Sequence, residues 1–374
     1  MKELHLNNKK IICTVTNDLF RDRRMIRICD TLHEFGADVT LVGIKKPGSL
    51  SLKKQTFKQH RFKMFFQKGV MFYLEYNIRL FFYLVSHDFD IVNSVDTDTV
   101  LAGFIASRLK GKKNIFDAHE YFTGVPELQN RKFKKGIWEF IEKIILTKIK
   151  NNYTVSESLK NLYENKTGQK YNVIRNYPLR SRFEDVKIFD KDLSGEIIMG
   201  YVGALNKGRG LESAIEMMTL LDKRFKLLLI GGGDLEEELK MMVNQKNLNE
   251  RVKFTGWVDP HEIPELLSGT HIGLNLLDTD SLNYQVSLAN KVFDYMLLGI
   301  PCLTMDFDEY RIINEKYNCF ILTNTLDPDI NRELIEYVVS DGKKYDDLKI
   351  SSLEAAKDMV WEREKEKLVG VYDR

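Results

Sequence analysis

Short apolar runs of strand type alternate with amphipathic helical stretches along both halves of this 374-residue chain. Such alternation marks an α/β fold with parallel sheets, because parallel neighbours need a crossover helix between them. In the first half the runs read KIICTVT, DVTLVGI, IVNSV, NIFDAH, NYTVS and YNVIRNY; in the second they read IIMGYVG, FKLLLIGGG, VKFTGW, IGLNLL, PCLTM and CFILT. Two sets of this size predict two doubly wound α/β domains instead of one enlarged sheet, and the length allows two separate cores. The least structured stretch, NYPLRSRFEDVKIFDKDLSGE at 176–196, is where the hinge is expected. The expected domains are 1–180 and 194–350, with a helical segment at 352–374 packing back across the first.

With 43% hydrophobic residues, 29% charged and only 7 prolines, the composition leaves no room for long disordered tracts. No apolar run of signal-peptide type precedes the first strand, and the most apolar stretch, LFFYLVSH at 80–87, is too short to span a bilayer. Cys13, Cys29, Cys302 and Cys319 are scattered without a CxxC pair, which argues against zinc and for reduced, mostly buried thiols. A cytoplasmic protein is the expectation.

The net charge of +2 hides an asymmetry. Residues 1–190 hold 34 basic against 21 acidic side chains, and the remainder 22 against 33. Between Asp38 and Glu75 there is no acidic residue, while Lys45, Lys46, Lys53, Lys54, Lys58, Arg61, Lys63 and Lys68 interleave with Phe57, Phe62, Phe65, Phe66 and Phe72. Basic residues mixed with aromatics suit an anionic membrane surface, so a place at the inner face of the plasma membrane is expected. The alternative is a solvated basic surface with its Phe residues in the core. Nucleic acid is not an expected partner, since no nucleic-acid-binding motif accompanies the charge.

Doubly wound sheets bind ligands at the carboxyl ends of their strands. Asp18, Asp96, Asp98, His119, Glu120, Lys207, Arg209, Gly231 to Gly233, Trp257 and Asp278 all follow a strand-like run. In YVGALNKGRGLESAI, at 201–215, the spacing from Gly203 to Gly208-Arg209-Gly210 is close to a phosphate-binding P-loop, but Arg209 stands at the Lys position and no hydroxyl follows. A Gly-rich turn from strand into helix still points N–H groups and a positive helix end at one spot. An ordinary turn with exposed basic residues is the alternative. Two Asp-x-Asp pairs, Asp96 with Asp98 and Asp278 with Asp280, invite a metal reading. Two carboxylates alone make a poor Mg²⁺ site without substrate phosphates, so no metal is expected; helix capping is the alternative for the first pair.

Taken in order, TNDLFRDRRMIRICDTLHEFGADVTLVG, FDAHEYFTGVPELQNR, YVGALNKGRGLE, LLIGGGDLEEEL, VKFTGWVDPHEIPELL and LNYQVSLANKVFDYMLLGIP resemble glycosyltransferase family 4 over nearly the whole chain. The resemblance implies the GT-B architecture, two Rossmann-like domains facing across a cleft. It further implies a retaining, metal-independent transferase of surface-glycan type. The co-substrate would be a UDP- or GDP-linked sugar with no other cofactor, and the acceptor a lipid-linked or growing glycan. In such enzymes the loop at Gly203 grips the donor diphosphate. Arg209 falls on the usual Lys, while the usual Arg after the first Gly is Ala204, which leaves Lys207 as the substitute.

Lys291 would add charge at the diphosphate, Asn290 would orient it, and Asp294 would accept hydrogen bonds from the ribose hydroxyls. Gly232 would allow close backbone approach. The turn at Trp257 and Val258 would hold the base, with core packing as the alternative for Trp257. His119, with Glu120 beside it, sits where the family places a histidine aimed at the donor sugar, and a structural histidine is the alternative. Asp18, Asp96 and Asp98 would line the acceptor side. A nucleotide-sugar epimerase of the same architecture and a non-catalytic glycan- or nucleotide-binding protein are the competing classes. A dinucleotide oxidoreductase fits less well, as no GxGxxG follows the first strand.

Overall fold

A computed structural model describes residues 6–20, 22–125, 131–188 and 190–373; residues 126–130 of the fragment FDAHEYFTGVPELQNR lie outside that set. The chain divides into two units, Met1–Asn176 with Glu364–Arg374, and Tyr177–Arg363.

The first unit carries a seven-stranded sheet in the order β3-β2-β1-β4-β5-β6-β7. Its strands are β1 (Lys10–Thr14), β2 (Asp38–Lys45), β3 (Lys58–Lys63), β4 (Ile91–Val95), β5 (Lys113–Ala118), β6 (Asn151–Thr154) and β7 (Tyr171–Val173), every neighbouring pair parallel. The second unit has six, again all parallel: β8 (Ile197–Val202), β9 (Phe225–Ile230), β10 (Val252–Gly256), β11 (Ile272–Asn275), β12 (Cys302–Met305) and β13 (Phe320–Thr323), ordered β10-β9-β8-β11-β12-β13. In each sheet the chain first winds outward to one side, then returns and winds to the other. The reversal falls between β1 and β4 in one unit and between β8 and β11 in the other, which are the topological switch points where ligands bind in such sheets.

The central strands read as nearly continuous apolar runs because helices cover both faces; β4 is buried at all five positions. Local signals set the helix limits. Asp22 accepts a hydrogen bond from the Met25 N–H at 3.0 Å and starts the helix Arg23–Glu34. Ser156 caps Glu157–Thr167, which ends at Gly168 with φ +68°. All four cysteines are buried and unpaired.

Three features differ from the sequence reading. The seventh strand, β3, lies inside the basic-aromatic segment, and there Phe57, Phe62 and Phe72 are buried while Phe65 and Phe66 are exposed. Residues 177–193 belong to the second unit, where Tyr177 and Phe183 join a core with Val292, Phe293 and Met296. Of the segment 352–374, the helix Gly342–Asp358 stays in the second unit and only Glu364–Arg374 joins the first. There Lys365 pairs with Glu34 at 2.6 Å and the Tyr372 hydroxyl lies 3.1 Å from that of Tyr153.

Candidate functional site

In the second unit the loops after β8 and β9 lie against each other. A Cβ at Gly231 (φ +131°) would stand 2.1 Å from the Gly203 carbonyl oxygen, so only glycine permits this approach. The Gly203 N–H donates to the Ile230 carbonyl at 2.9 Å, and the Leu205 N–H to that of Gly232 at 3.1 Å. The NKGRG loop is held from β11: the Asp278 N–H donates to the Gly208 carbonyl at 3.0 Å, and Gly208, at φ +80°, faces the Tyr284 ring. Asp278 is occupied as a turn residue, its Oδ1 accepting the Asp280 N–H at 2.9 Å.

Lys291 is the second residue of the helix Asn290–Leu297 and is only 6% exposed. Its Nζ lies 3.6 Å from the Tyr201 ring centroid and has no hydrogen-bond partner among the described residues. A buried ammonium without an anion is costly. Burial, and then the charge of Arg209, push its pKa well below the lysine range. Arg209 is half-buried, its guanidinium 5.2 Å from the Tyr284 ring centroid and its Nε likewise unpartnered. Two cations, each resting on a tyrosine face and each with an unsatisfied buried donor, form a receptor for an anion.

The other expected residues of this unit take varied places. Buried Asp294 lies on the same helix and pairs with Arg182 at 3.7 Å, while Arg182 also donates to the Pro260 carbonyl at 3.2 Å. Trp257 is 62% exposed, so it is not a core residue; its indole Nε1 stands 2.6 Å from where a Cβ at Gly232 would be. Val258 is half-buried beside it. Asn290 is exposed at the helix start. Lys207 is exposed, and its carbonyl accepts from the Tyr284 hydroxyl at 3.5 Å.

In the first unit a carboxylate cluster occupies the ends of β4 and β5. Asp96, at φ +57°, opens the helix Asp96–Lys110, and its Oδ1 accepts the backbone N–H groups of His119 at 2.8 Å and Glu120 at 3.3 Å. A positive φ at a residue other than glycine is a strained conformation of the kind that gathers at functional sites. Buried Asp117 accepts both arms of Arg24, at 2.5 and 2.7 Å. His119 is half-buried, and burial, with the charges of Arg24 and Arg27, pushes its pKa down to about 3. The ring is therefore neutral at physiological pH. Glu120 is half-buried, its carbonyl accepting from the Tyr163 hydroxyl at 3.2 Å. Asp18 ties its own turn to β3 and to the loop after β2 instead of standing free: it accepts from Arg61 at 3.0 Å, from the Phe20 N–H at 3.2 Å and from the Ser49 hydroxyl.

Asp98 is 6% exposed and accepts the Thr16 hydroxyl at 2.6 Å. Burial pushes its pKa up to about 7 against that hydrogen bond, and the charge of Glu120 adds to the rise. Because the folded value lies above the unfolded one, the stability linked to this group is full below pH 3.8 and is lost as pH rises toward 7. At about 1.4 kcal/mol per unit, ionised Asp98 costs on the order of 4 kcal/mol at pH 8. Asp98→Asn is accordingly expected to raise the melting temperature by several degrees at pH 8, with the gain shrinking toward pH 4. Thermal melts over that range check it; a variant less stable at every pH would show that the carboxylate is not strained.

The sequence reading passed over Tyr201, Tyr284, Arg182, Arg24 and Asp117. Two of these had a legible signal, since Arg24 sits on the apolar stripe with Ile28 and Leu32, and Asp117 interrupts a buried strand. Charges of opposite sign at two such positions point to a buried pair.

Comparison with known proteins agrees with this architecture. Residues 22–177 match the family model Glycosyltransferase Family 4, and residues 184–354 match Glycosyl transferases group 1. The spore coat protein SA of Bacillus subtilis (strain 168) is 24% identical over 193 residues, covering 49% of this chain and 50% of that protein. The chitobiosyldiphosphodolichol beta-mannosyltransferase of Dictyostelium discoideum is 24% identical over 121 residues, covering 32% of this chain and 24% of its own length. The chain thus spans half or less of the length of these curated relatives. Among solved structures, sucrose-phosphate synthase from Thermosynechococcus elongatus superposes with a TM-score of 0.81 at 14% identity, over 97% of this chain and 98% of that one. Anabaena HepE in complex with UDP gives 0.75 at 12% identity, over 97% and 99%. WaaG, a glycosyltransferase involved in lipopolysaccharide biosynthesis, gives 0.75 at 13% identity, over 97% and 99%. With a glycosyltransferase model matched on each of its two Rossmann-like units and the GT-B fold shared along its length, the chain belongs to the family 4 glycosyltransferases.

Proposed function

We propose that the protein transfers a sugar, with retention and without a metal, from a UDP- or GDP-linked donor to a lipid-linked or growing surface glycan, working peripherally at the inner face of the plasma membrane. The observation that carries this reading is the buried, unpartnered ammonium of Lys291 beside Arg209 at the switch point of the second sheet. A donor diphosphate supplies the missing anion, and the UDP complexes of HepE support a nucleotide there. In the transfer the bond between anomeric carbon and diphosphate oxygen breaks, and the acceptor oxygen bonds to that carbon on the same face. The acceptor proton passes to the departing diphosphate. Lys291 and Arg209 stabilise the charge growing on that leaving group, as fixed donors do in other sites of developing negative charge. Trp257, Val258 and Asp294 serve the nucleoside, with Arg182 orienting Asp294. Neutral His119 suits hydrogen bonding to a sugar hydroxyl, not nucleophilic attack.

A thermal-shift screen against nucleotides and nucleotide-sugars tests the donor reading, because a ligand at about 100 times its Kd stabilises by roughly 2.7 kcal/mol. Acceptor-dependent release of nucleoside diphosphate is then expected to continue in EDTA. Activity lost to the chelator and restored by Mn²⁺ would instead assign the diphosphate to a metal.

A further inference from the structure

The helix Gly69–Ser86 is apolar on two opposite sides. One stripe, Phe72, Tyr76, Leu80 and Leu84, is buried against the first sheet. The other is also apolar yet faces out: Met71 is 48% exposed, Leu74 50%, Ile78 49% and Phe82 65%. A helix apolar all round belongs inside a protein or against a non-aqueous phase. Its only two charges, Glu75 and Arg79, pair with each other at 2.8 Å. The Glu75 carboxylate also accepts the backbone N–H groups of Phe65, at 3.0 and 3.1 Å, and of Phe66, at 3.0 Å, while Arg79 covers the Phe65 ring at 5.4 Å. The chain thus fixes the backbone of a phenylalanine that is 84% exposed.

A second stripe runs along the helix Lys132–Ile145, where Phe133, Ile137, Phe140 and Ile144 are all exposed at helical spacing. The two helices meet through the Tyr73 and Trp138 rings, 5.1 Å apart and edge to face. Exposed Leu109 belongs to the helix Asp96–Lys110 that packs against both. Two neighbouring helices that each leave an apolar stripe exposed mark an interaction surface.

The surrounding charge selects the partner. Exposed Lys63 and Lys68 flank the Phe65–Phe66 tip, and exposed Lys132, Lys143, Lys148 and Lys150 flank the second stripe. We infer that this face of the first unit docks on an anionic lipid bilayer, with Phe65, Phe82 and Phe140 entering the headgroup boundary and the lysines meeting lipid phosphates. A second copy of the chain would bring like charges together, which disfavours that occupant. The inference rests on the membrane-side reading given above and adds the surface and its mode of attachment. The docked helix also reaches the acceptor side. On its inner face the Tyr76 hydroxyl donates to the Val15 carbonyl at 2.6 Å, and the Asn77 amide donates to the Asp98 carbonyl at 2.8 Å. One helix diameter, about 10 Å, then separates bilayer from acceptor loops, a distance a lipid-linked acceptor spans.

The test is co-sedimentation of the full chain with phosphatidylcholine vesicles with and without phosphatidylglycerol, comparing wild type with the double variant Phe82→Ser, Phe140→Ser and, separately, Phe65→Ser. Wild type is expected to bind the phosphatidylglycerol vesicles, with salt weakening the binding but not abolishing it, since apolar insertion persists. The double variant is expected to bind at least about tenfold more weakly, with an unchanged melting temperature because the lost rings touch water. Equal binding by wild type and both variants would overturn the assignment. So would a wild type that ignores vesicles and forms a dimer the variants dissolve. Nucleotide affinity is read on the same samples, so a failure here stays distinguishable from a failure of the transferase reading.

Discussion

Lys291→Met is expected to make the protein more stable and nearly inactive at once. The effective desolvation penalty of an unpaired buried ion is several kcal/mol, while the contact of Lys291 with the Tyr201 ring returns about 2 kcal/mol. Methionine fills a similar volume without the charge, so the ligand-free variant should gain about 1–2 kcal/mol of stability. Its kcat/KM should fall about 10²–10³-fold, the usual loss when one donor to a developing negative charge is removed. Stability rising while activity collapses is the signature of a residue kept for function at a cost to the fold. The pH dependence has a fixed sign. The folded pKa of Lys291 lies below its unfolded value of 10.5, so its stability contribution is full above that value and is lost as pH falls through the folded one. The excess stability of the Met variant should therefore shrink as pH rises toward 10. In wild type, diphosphate binding should move the pKa of Lys291 back up toward the lysine range, seen as buffer-dependent heats in titration calorimetry at pH values between the free and bound pKa. A variant that is less stable and equally active would make Lys291 a packing residue.

Arg209→Ala is expected to remove roughly 2–4 kcal/mol of transition-state stabilisation, lowering kcat as well as donor affinity. Arg209→Lys should be impaired less, because it keeps the charge and loses the planar fork that binds two oxygens together. Neither change should move the melting temperature much, since Arg209 lies on a loop and stacks on Tyr284 without a buried hydrogen bond at Nε. Steady-state kinetics with each variant decide the matter. An Ala variant that turns over like wild type would remove NKGRG from the active site.

The strands of the second sheet were all legible, because five are largely buried apolar runs bounded by turn residues and the edge strand β10 still ends at a Gly turn. β3 was not. KQHRFK buries only Phe62 and pairs with β2 alone, so the strand reads as part of a charge cluster when its edge position is unknown. The Gly203 loop was legible as a turn that favours anions, but its grip was not. Lys207, the expected substitute for the missing basic residue, is exposed; Lys291 is expected at the diphosphate from the resemblance, but its burial on the Tyr201 ring depends on the packing of its helix, 88 positions after the loop. The position of His119 followed from the end of β5. Its neutral state did not, because it depends on Arg24 and Arg27, nearly a hundred residues upstream. Phe65 and Phe66 are legible as part of a basic-aromatic segment suited to an anionic membrane surface; the larger apolar stripes on Gly69–Ser86 and Lys132–Ile145 emerge only once one face of each helix is known to be buried.

The central question is whether the second unit reads a diphosphate through Lys291. The direct measurement is calorimetric affinity for a nucleoside diphosphate against its monophosphate, in wild type and in Lys291→Met, with EDTA present. Wild type should favour the diphosphate by about tenfold or more, the worth of one charge-assisted hydrogen bond of roughly 1.5–3 kcal/mol, and the variant should lose that preference while still binding the monophosphate. A variant that keeps the full preference would contradict the assignment of Lys291 and Arg209 as the diphosphate site.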